Sequence, residues 1–276
     1  MSLKKLLKGK RTLIMGIMNL TPDSFSGDGR SKNSASANLR YAKALVCSGA
    51  DILDVGGESS RPGAAYVPVS REIARILPTI KLLAKHLDVP ISVDTYKPEV
   101  AEACLAQGVS MINNIMGTQP DRGLLKIVRK HKAFIILMHM RGDPRTMQRK
   151  TAYRDVVRDV IGSLRNAVEI CLENGIKKDR IIIDPGIGFA KTAEQNLQIL
   201  NYLGEFQKLR LPVLIGTSRK SFIGRILNAE AQGRAWGTAA TVALSIANGA
   251  RLVRVHDVAA MKQVAVMTDA IMRTSK

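Results

Sequence analysis

Aromatic residues are scarce, 4% of 276 positions, and no apolar run approaches the roughly 18 residues that cross a bilayer. The opening MSLKKLLKGKR interrupts its leucines with lysines where a signal peptide needs an apolar segment. A cytoplasmic protein without a membrane partner is therefore expected. Cysteine is nearly absent as well. Cys47, Cys104 and Cys171 lie far apart in helical patterns, odd in total and without CxxC spacing, which points to buried thiols in a reducing compartment. Several motifs are missing. Gly186-Ile187-Gly188 lacks the third glycine of a dinucleotide fingerprint, and neither a GxxxxGK[ST] phosphate loop nor a GxSxG elbow occurs. NAD, ATP and serine hydrolase chemistry are not indicated. Acidic residues are few, 23 against 42 basic, for a net charge of +19. A nucleic-acid binder would cluster that charge with exposed aromatics. Here the basic residues scatter over most helices, so nucleic acid is not an expected partner and the charge reads as a generic bias that also attracts an anionic substrate.

What the chain does contain is a repeated strand ending. In RIIIDPGIGFAK, 180–191, three isoleucines read as a strand buried on both faces, Asp184 stands at its end, and Pro185 with the Gly186 to Gly188 turn bends the chain away. Seven further strands are predicted at 12–18, 51–55, 91–93, 109–112, 133–138, 211–215 and 252–255. Helical patterns fall between them at 35–47, 70–87, 97–106, 121–131, 153–174, 193–203 and 234–248, with a last helix running to the C-terminus. Such alternation predicts an α/β chain, a parallel (β/α)8 TIM barrel forming one domain over 1–276. Asn19, Asp54, Asp94, Asn113, His139, Asp184, Lys220, Arg254 and His256 then gather at one mouth.

Two sets of side chains divide that mouth. Asp94, Asn113, Asp184 and Lys220 suit a flat heterocycle with adjacent donors and acceptors, with Lys220 as the cation between the carboxylates. Ser218, Arg219, Arg254 and His256, after the seventh and eighth strands, suit an anion such as phosphate. A histidine metal centre is not indicated, since neither His139 nor His256 has a second ligand at metal-binding spacing. The glycine-rich loops after the first two strands carry Asn19, Asp23, Asp28, Ser59, Ser60 and Arg61 and suit lids over a substrate.

Taken together, MGIMNLTPDSFS, GADILDVGGESSRPGA, SVDTYKPEVAEA, INNI, LMHMRGDPRTMQ, IIIDPGIGFAK, GTSRKSFIG and RVHDV resemble, in order and spacing, the dihydropteroate synthase family. The resemblance covers essentially the whole chain. It implies a barrel enzyme of folate synthesis, the target of sulfonamides. Such an enzyme joins 6-hydroxymethyl-7,8-dihydropterin diphosphate to 4-aminobenzoate and releases diphosphate with Mg²⁺ present, usually as a homodimer. By the same resemblance Asp94, Asn113, Met138, Asp184 and Lys220 contact the pterin, while Asn19, Arg61, Arg254 and His256 contact the diphosphate, with Asn19 near the metal. Ser60, Arg61, Pro62, Phe189, Ser218 and Lys220 then form the aminobenzoate pocket. The implied mechanism is dissociative: the bond to diphosphate breaks first, leaving a pterin cation that the aniline nitrogen attacks. Asp94 and Asp184 would stabilise the cation and Arg254 and His256 the departing anion, with Lys220 also among the catalytic residues. The chain departs from the family at Asn114 for a usual aspartate, Ser60 for threonine, Ala190 for glycine, and SFSGDGR for SFSDGG, which moves a loop carboxylate to Asp28. A pterin-binding corrinoid methyltransferase would share Asp94, Asn113 and Asp184 but should lack the SSRP loop and the SRK turn, both present here.

Overall fold

The computed structural model describes residues 3–21 and 34–274. Eight parallel strands, β1 (Leu13–Asn19), β2 (Ile52–Gly56), β3 (Ile91–Asp94), β4 (Met111–Asn114), β5 (Phe134–Met138), β6 (Ile181–Asp184), β7 (Leu214–Ile215) and β8 (Leu252–Val255), form one sheet. Their order is β6-β5-β4-β3-β2-β1-β8-β7, and a parallel bridge between Ile183 and Val213 joins the two ends into a barrel. The strand at the seam is short. Pro212 has no N–H to give to a ladder, and its carbonyl instead accepts from Ile183 N at 3.0 Å.

Helices cover the outside: α2 (Ala35–Cys47), α3 (Val69–His86), α4 (Pro98–Leu105), α5 (Arg122–Lys130), α6 (Val156–Glu173), α7 (Ala193–Asn201), α9 (Ala235–Ala247) and α10 (Val258–Thr274). Their starts are specified locally. Ser34, Asp121 and Asp155 accept from the first-turn amides of α2, α5 and α6, and Thr192 with Gln195 makes a reciprocal capping box on α7. Two helices lie outside the sequence expectation. The helix α1 (Leu3–Lys8) buries Leu3 and Leu6 against the barrel interior, worth about 2 kcal/mol each. The seven-residue helix α8 (Ser221–Leu227) follows the turn after β7. One expectation is corrected: Cys104 and Cys171 are buried, but Cys47, in the last turn of α2, is exposed. Among the described residues no helix is long and apolar enough to cross a membrane.

The period-two alternation of a strand connects this fold to the site. Leu13, Met15, Ile52, Met111, Phe134, Ile136, Ile182, Leu214 and Leu252 form the apolar interior of the barrel. Advancing two residues along each strand from Ile52, Met111, Ile182 and Leu252 gives Asp54, Asn113, Asp184 and Arg254. Each of these shares the inward face of the apolar residue beneath it, at the carboxyl end of its strand. A ring of polar side chains therefore stands on a dry core.

Candidate active site

Arg254 is the hub of that ring. Its Nε donates to Asp54 Oδ2 at 2.6 Å and its Nη2 to Asp94 Oδ2 at 3.0 Å, while Asn113 Nδ2 donates to Asp54 Oδ2 at 3.0 Å. Asp54 Oδ1 is buried and receives no hydrogen bond among the described residues. Burial raises Asp94 to about 7 against the pull of Arg254, and the charges of Asp54, Glu72 and Glu58 push it further up. The cation bonded to Asp94 is Arg254, while Lys220, which the sequence puts between the carboxylates, feels the charges of both Asp184 and Asp94. A guanidinium can donate to two carboxylates from one plane, which an ammonium on a flexible stem cannot do as well.

Lys220 faces the other carboxylate. Its Nζ donates to Ile187 O and lies 4.6 Å from the centre of the Phe189 ring. Burial lowers Lys220 to about 8, with Asp184 opposing the shift. Burial likewise raises Asp184, opposed by Lys220, by the Gly186 amide that donates to Asp184 Oδ1 at 2.7 Å, and by Lys191 and Arg254. The turn that carries this amide admits no side chain at Gly186. Its φ is +70°, and a Cβ there would lie 2.0 Å from His139 O.

Ser218 and His256 sit on adjacent strand ends. Ser218 Oγ accepts from His256 N at 3.1 Å and lies 3.0 Å from Nδ1, so the hydroxyl holds both the backbone and the ring of His256 in place. Arg219 departs from the expected anion set. Its guanidinium pairs with Asp257 and its amide donates to Thr238 Oγ1 at 3.1 Å, while Ser218, Arg254 and His256 stand at the mouth.

Ser60, Arg61 and Pro62 lie on the loop after β2, and Ser59, Ser60, Asp94, Tyr96 and Pro144 line one cavity, which brings this loop to the mouth. The base of the loop is pinned by a buried cation. Lys97 Nζ pairs with Glu58, with Glu72 at 2.6 Å and with Val67 O at 2.5 Å, and Glu58 Oε1 accepts from Val67 N at 3.0 Å. Met138 packs with Ile115, Met140, Met147 and Ala190, and Phe189 lies against them. His139 is buried outside the ring beside Lys191, 3.0 Å from Nδ1 to Nζ. Asp23 and Asp28 lie outside the described residues.

Asn19 ends β1. Its Oδ1 and Asp94 Oδ2 both border the space over Gly56, at 3.8 and 3.9 Å from where a Cβ would stand. Among the described residues no group of three histidine, cysteine or acidic side chains could hold a metal. The Asn19 amide oxygen is a hard donor of the kind that would suit a Mg²⁺ arriving with a phosphate substrate.

Three contributors carry no assigned role in the sequence reading: Asp54, Lys191 and the Glu58–Lys97 pair. Asp54 alone had a signal, its place at a strand end with even spacing from Ile52.

The pterin binding enzyme family matches residues 15–256. A dihydropteroate synthase of Synechocystis is 48% identical over 96% of this chain and 92% of that protein. The dihydropteroate synthase of Yersinia pestis, solved with a sulfonamide drug complex, superposes with a TM-score of 0.92 at 38% identity, over 96% of this chain and 95% of that one. That of Xanthomonas albilineans, solved with 4-aminobenzoic acid, gives 0.87 at 40% identity, over 96% and 94%. The barrel, its polar ring and these matches over nearly the full length agree, and the chain belongs to the dihydropteroate synthases of the pterin binding enzyme family.

Proposed function

We propose that the mouth condenses 6-hydroxymethyl-7,8-dihydropterin diphosphate with 4-aminobenzoate to give 7,8-dihydropteroate and diphosphate, with the whole of 1–276 working as one domain. The observation that carries the reading is the convergence of two chemically distinct sets on one ring. Asp94, Asn113, Asp184 and Lys220 offer acceptors and donors to a flat heterocycle. Ser218, Arg254 and His256 stand across β7 and β8 for an anion. Arg254 bonds to Asp94 and so touches both sets.

In this reading the pterin lies against Asp94, Asn113, Asp184 and Lys220, with Met138 beside its ring. Diphosphate meets Asn19, Arg61, Arg254 and His256. Aminobenzoate enters between Ser60, Arg61 and Pro62 on one loop and Phe189, Ser218 and Lys220 on the other side. The carboxylates of Asp94 and Asp184 stabilise a cation developing on the pterin as the bond to diphosphate breaks, and Arg254 and His256 stabilise the anion that departs. The aniline nitrogen attacks that cation, and no side chain forms a covalent bond. Mg²⁺ bound with the substrate would be held by Asn19 and the phosphate oxygens, supplying positive charge to the leaving group. A corrinoid methyltransferase reading has less support, because the Ser60–Pro62 loop and Ser218–Lys220 turn both reach the site.

Sulfonamides are expected inhibitors, given the drug complex of the Yersinia pestis relative. A homodimer is also proposed. Trp236 is 85% exposed on α9, and Leu197 on α7, Leu244 on α9 and Val266, Met267 and Ile271 on α10 are also exposed, on helices that pack together. The free cysteines suit a cytoplasmic setting. Asp184→Asn tests the pterin assignment. It should abolish binding of the pterin diphosphate in calorimetry while leaving the circular dichroism spectrum unchanged, and an unaltered dissociation constant would overturn the assignment.

A further inference from the structure

We propose that Lys191 is a positioning residue of the pterin site: its buried side chain ties down the turn from Gly186 to Phe189 and gives Asp184 a counter-charge that cannot leave. The inference rests on the pterin reading and deepens it.

The Lys191 side chain is buried, and its Nζ lies 3.0 Å from each of three acceptors: Gly186 O, Phe189 O and His139 Nδ1. An ammonium has three protons and no lone pair to offer. Three acceptors satisfy it completely, provided His139 is neutral and accepts through Nδ1. Burial, with the charges of Lys191 and Arg141, pushes His139 down to about 2 and keeps it in that form. Burial also pulls Lys191 well below the ordinary amine range, and the Asp184 carboxylate pulls it back. Three acceptors on one nitrogen hold the proton there.

Two of those acceptors bracket the turn, and the groups between them meet the ligand-binding side chains. Gly186 N donates to Asp184 Oδ1, Ile187 O accepts from Lys220, and the Phe189 ring lies under the Lys220 ammonium. The two lysines therefore divide the work. Lys220 reaches the turn from the mouth, through Ile187 O. Lys191 holds it from within, through Gly186 O and Phe189 O.

The charges facing Asp184 are Lys220 from the β7–α8 connection, Lys191 from the β6–α7 connection and Arg254 from β8. Around Lys191 stand Asp184, Lys220, His139 at the end of β5 and Arg141 on the loop after it. Tyr153, whose hydroxyl donates to Ala190 O at 2.9 Å, closes the remaining side. Taking Lys191 away removes one of three cations that oppose the protonation of Asp184. Asp184 then keeps its proton to higher pH, and a protonated carboxyl accepts poorly from the N–H groups of a pterin.

The test uses the full chain and calorimetric titration with 6-hydroxymethyl-7,8-dihydropterin diphosphate between pH 5 and 8. Lys191→Met should weaken binding at least tenfold at pH 7 and move the midpoint of the acid limb up by about one pH unit. Lys191→Gln keeps two donors without the charge. It should recover part of the affinity at pH 8 yet show the same shift of midpoint, and it carries the test if the methionine variant does not fold. Unchanged affinity and midpoint in either variant overturn the proposal. Weaker binding with an unmoved midpoint also overturns it, since that is the signature of lost packing alone. Failure of the unmutated protein to bind the pterin would instead remove the functional reading on which the proposal stands.

Discussion

Arg254→Met removes the only cation bonded to Asp54 and Asp94 among the described residues, and its cost can be worked from the structure. The side chains involved are 20% exposed for Arg254, 11% for Asp94 and 0% for Asp54. Breaking a buried pair by deleting one member costs about 3–5 kcal/mol, and the partial access of water to this mouth puts the expected loss near 3 kcal/mol at pH 7. The pH dependence is more diagnostic than the size. Asp94 has a folded value of about 7 against an ordinary 3.8. A carboxyl raised in this way contributes stability that is fully present below its unfolded value and is lost as pH rises through the folded value. In the unmutated protein that loss is complete a little above pH 7. Without Arg254 nothing bonded opposes the burial of Asp94, its proton is held to higher pH, and stability continues to fall between pH 7 and 8.5. The limiting slope for one proton is about 1.4 kcal/mol per pH unit. Urea unfolding at pH 6, 7, 8 and 8.5 reads both quantities. A loss below about 1 kcal/mol, or stability curves that stay parallel across this range, would refute the reasoning.

Lys220, held at about 8 by burial, should give kcat/KM a basic limb near that pH as its ammonium loses a proton; a profile flat to pH 9.5 would remove it from the chemistry. Gly186→Ala should cost roughly 1–3 kcal/mol from overpacking against His139 O and about 1 more from the left-handed backbone, with loss of pterin affinity. Wild-type stability and affinity in that variant would show that the turn is not as tight as described. Trp236→Glu should lower the mass measured by light scattering from two chains to one, since it replaces the most exposed of the apolar side chains on α7, α9 and α10 with a charge; an unchanged mass would exclude Trp236 from the dimer surface.

The strand ends are legible in the sequence because an apolar run stops at a polar residue, as at Asp94, Asn113 and Asp184, and the barrel follows from eight such endings alternating with helices. The limits of each strand are less legible. Met111–Asn114 takes in both asparagines, which read as loop, because their backbone pairs with Ile136 and Leu137 of β5. What a polar residue does inside the barrel depends on partners far along the chain. Asp54 reads as one carboxylate within DILDV, and only Arg254, 200 residues on, makes it part of the site. Lys191 reads as a loop lysine until His139, 52 residues earlier, stands beside it. Arg219 reads as one of two basic residues after β7, and its pairing with Asp257, 38 residues on, is likewise visible only in the fold. The two unexpected helices are short. SFIGRIL extends a glycine-rich turn for seven residues, and in α1 a single Leu3, Leu6 spacing among lysines gives no periodicity to read.

The central claim is that this mouth joins a pterin to an arylamine. Its most direct test is to incubate the purified protein with 6-hydroxymethyl-7,8-dihydropterin diphosphate and Mg²⁺, with and without 4-aminobenzoate, while following diphosphate release and detecting the product by mass. Dihydropteroate formed only with both substrates, in step with diphosphate, is the predicted result. Tight pterin binding with no dihydropteroate formed would contradict the account and favour a methyl-transferring relative in its place.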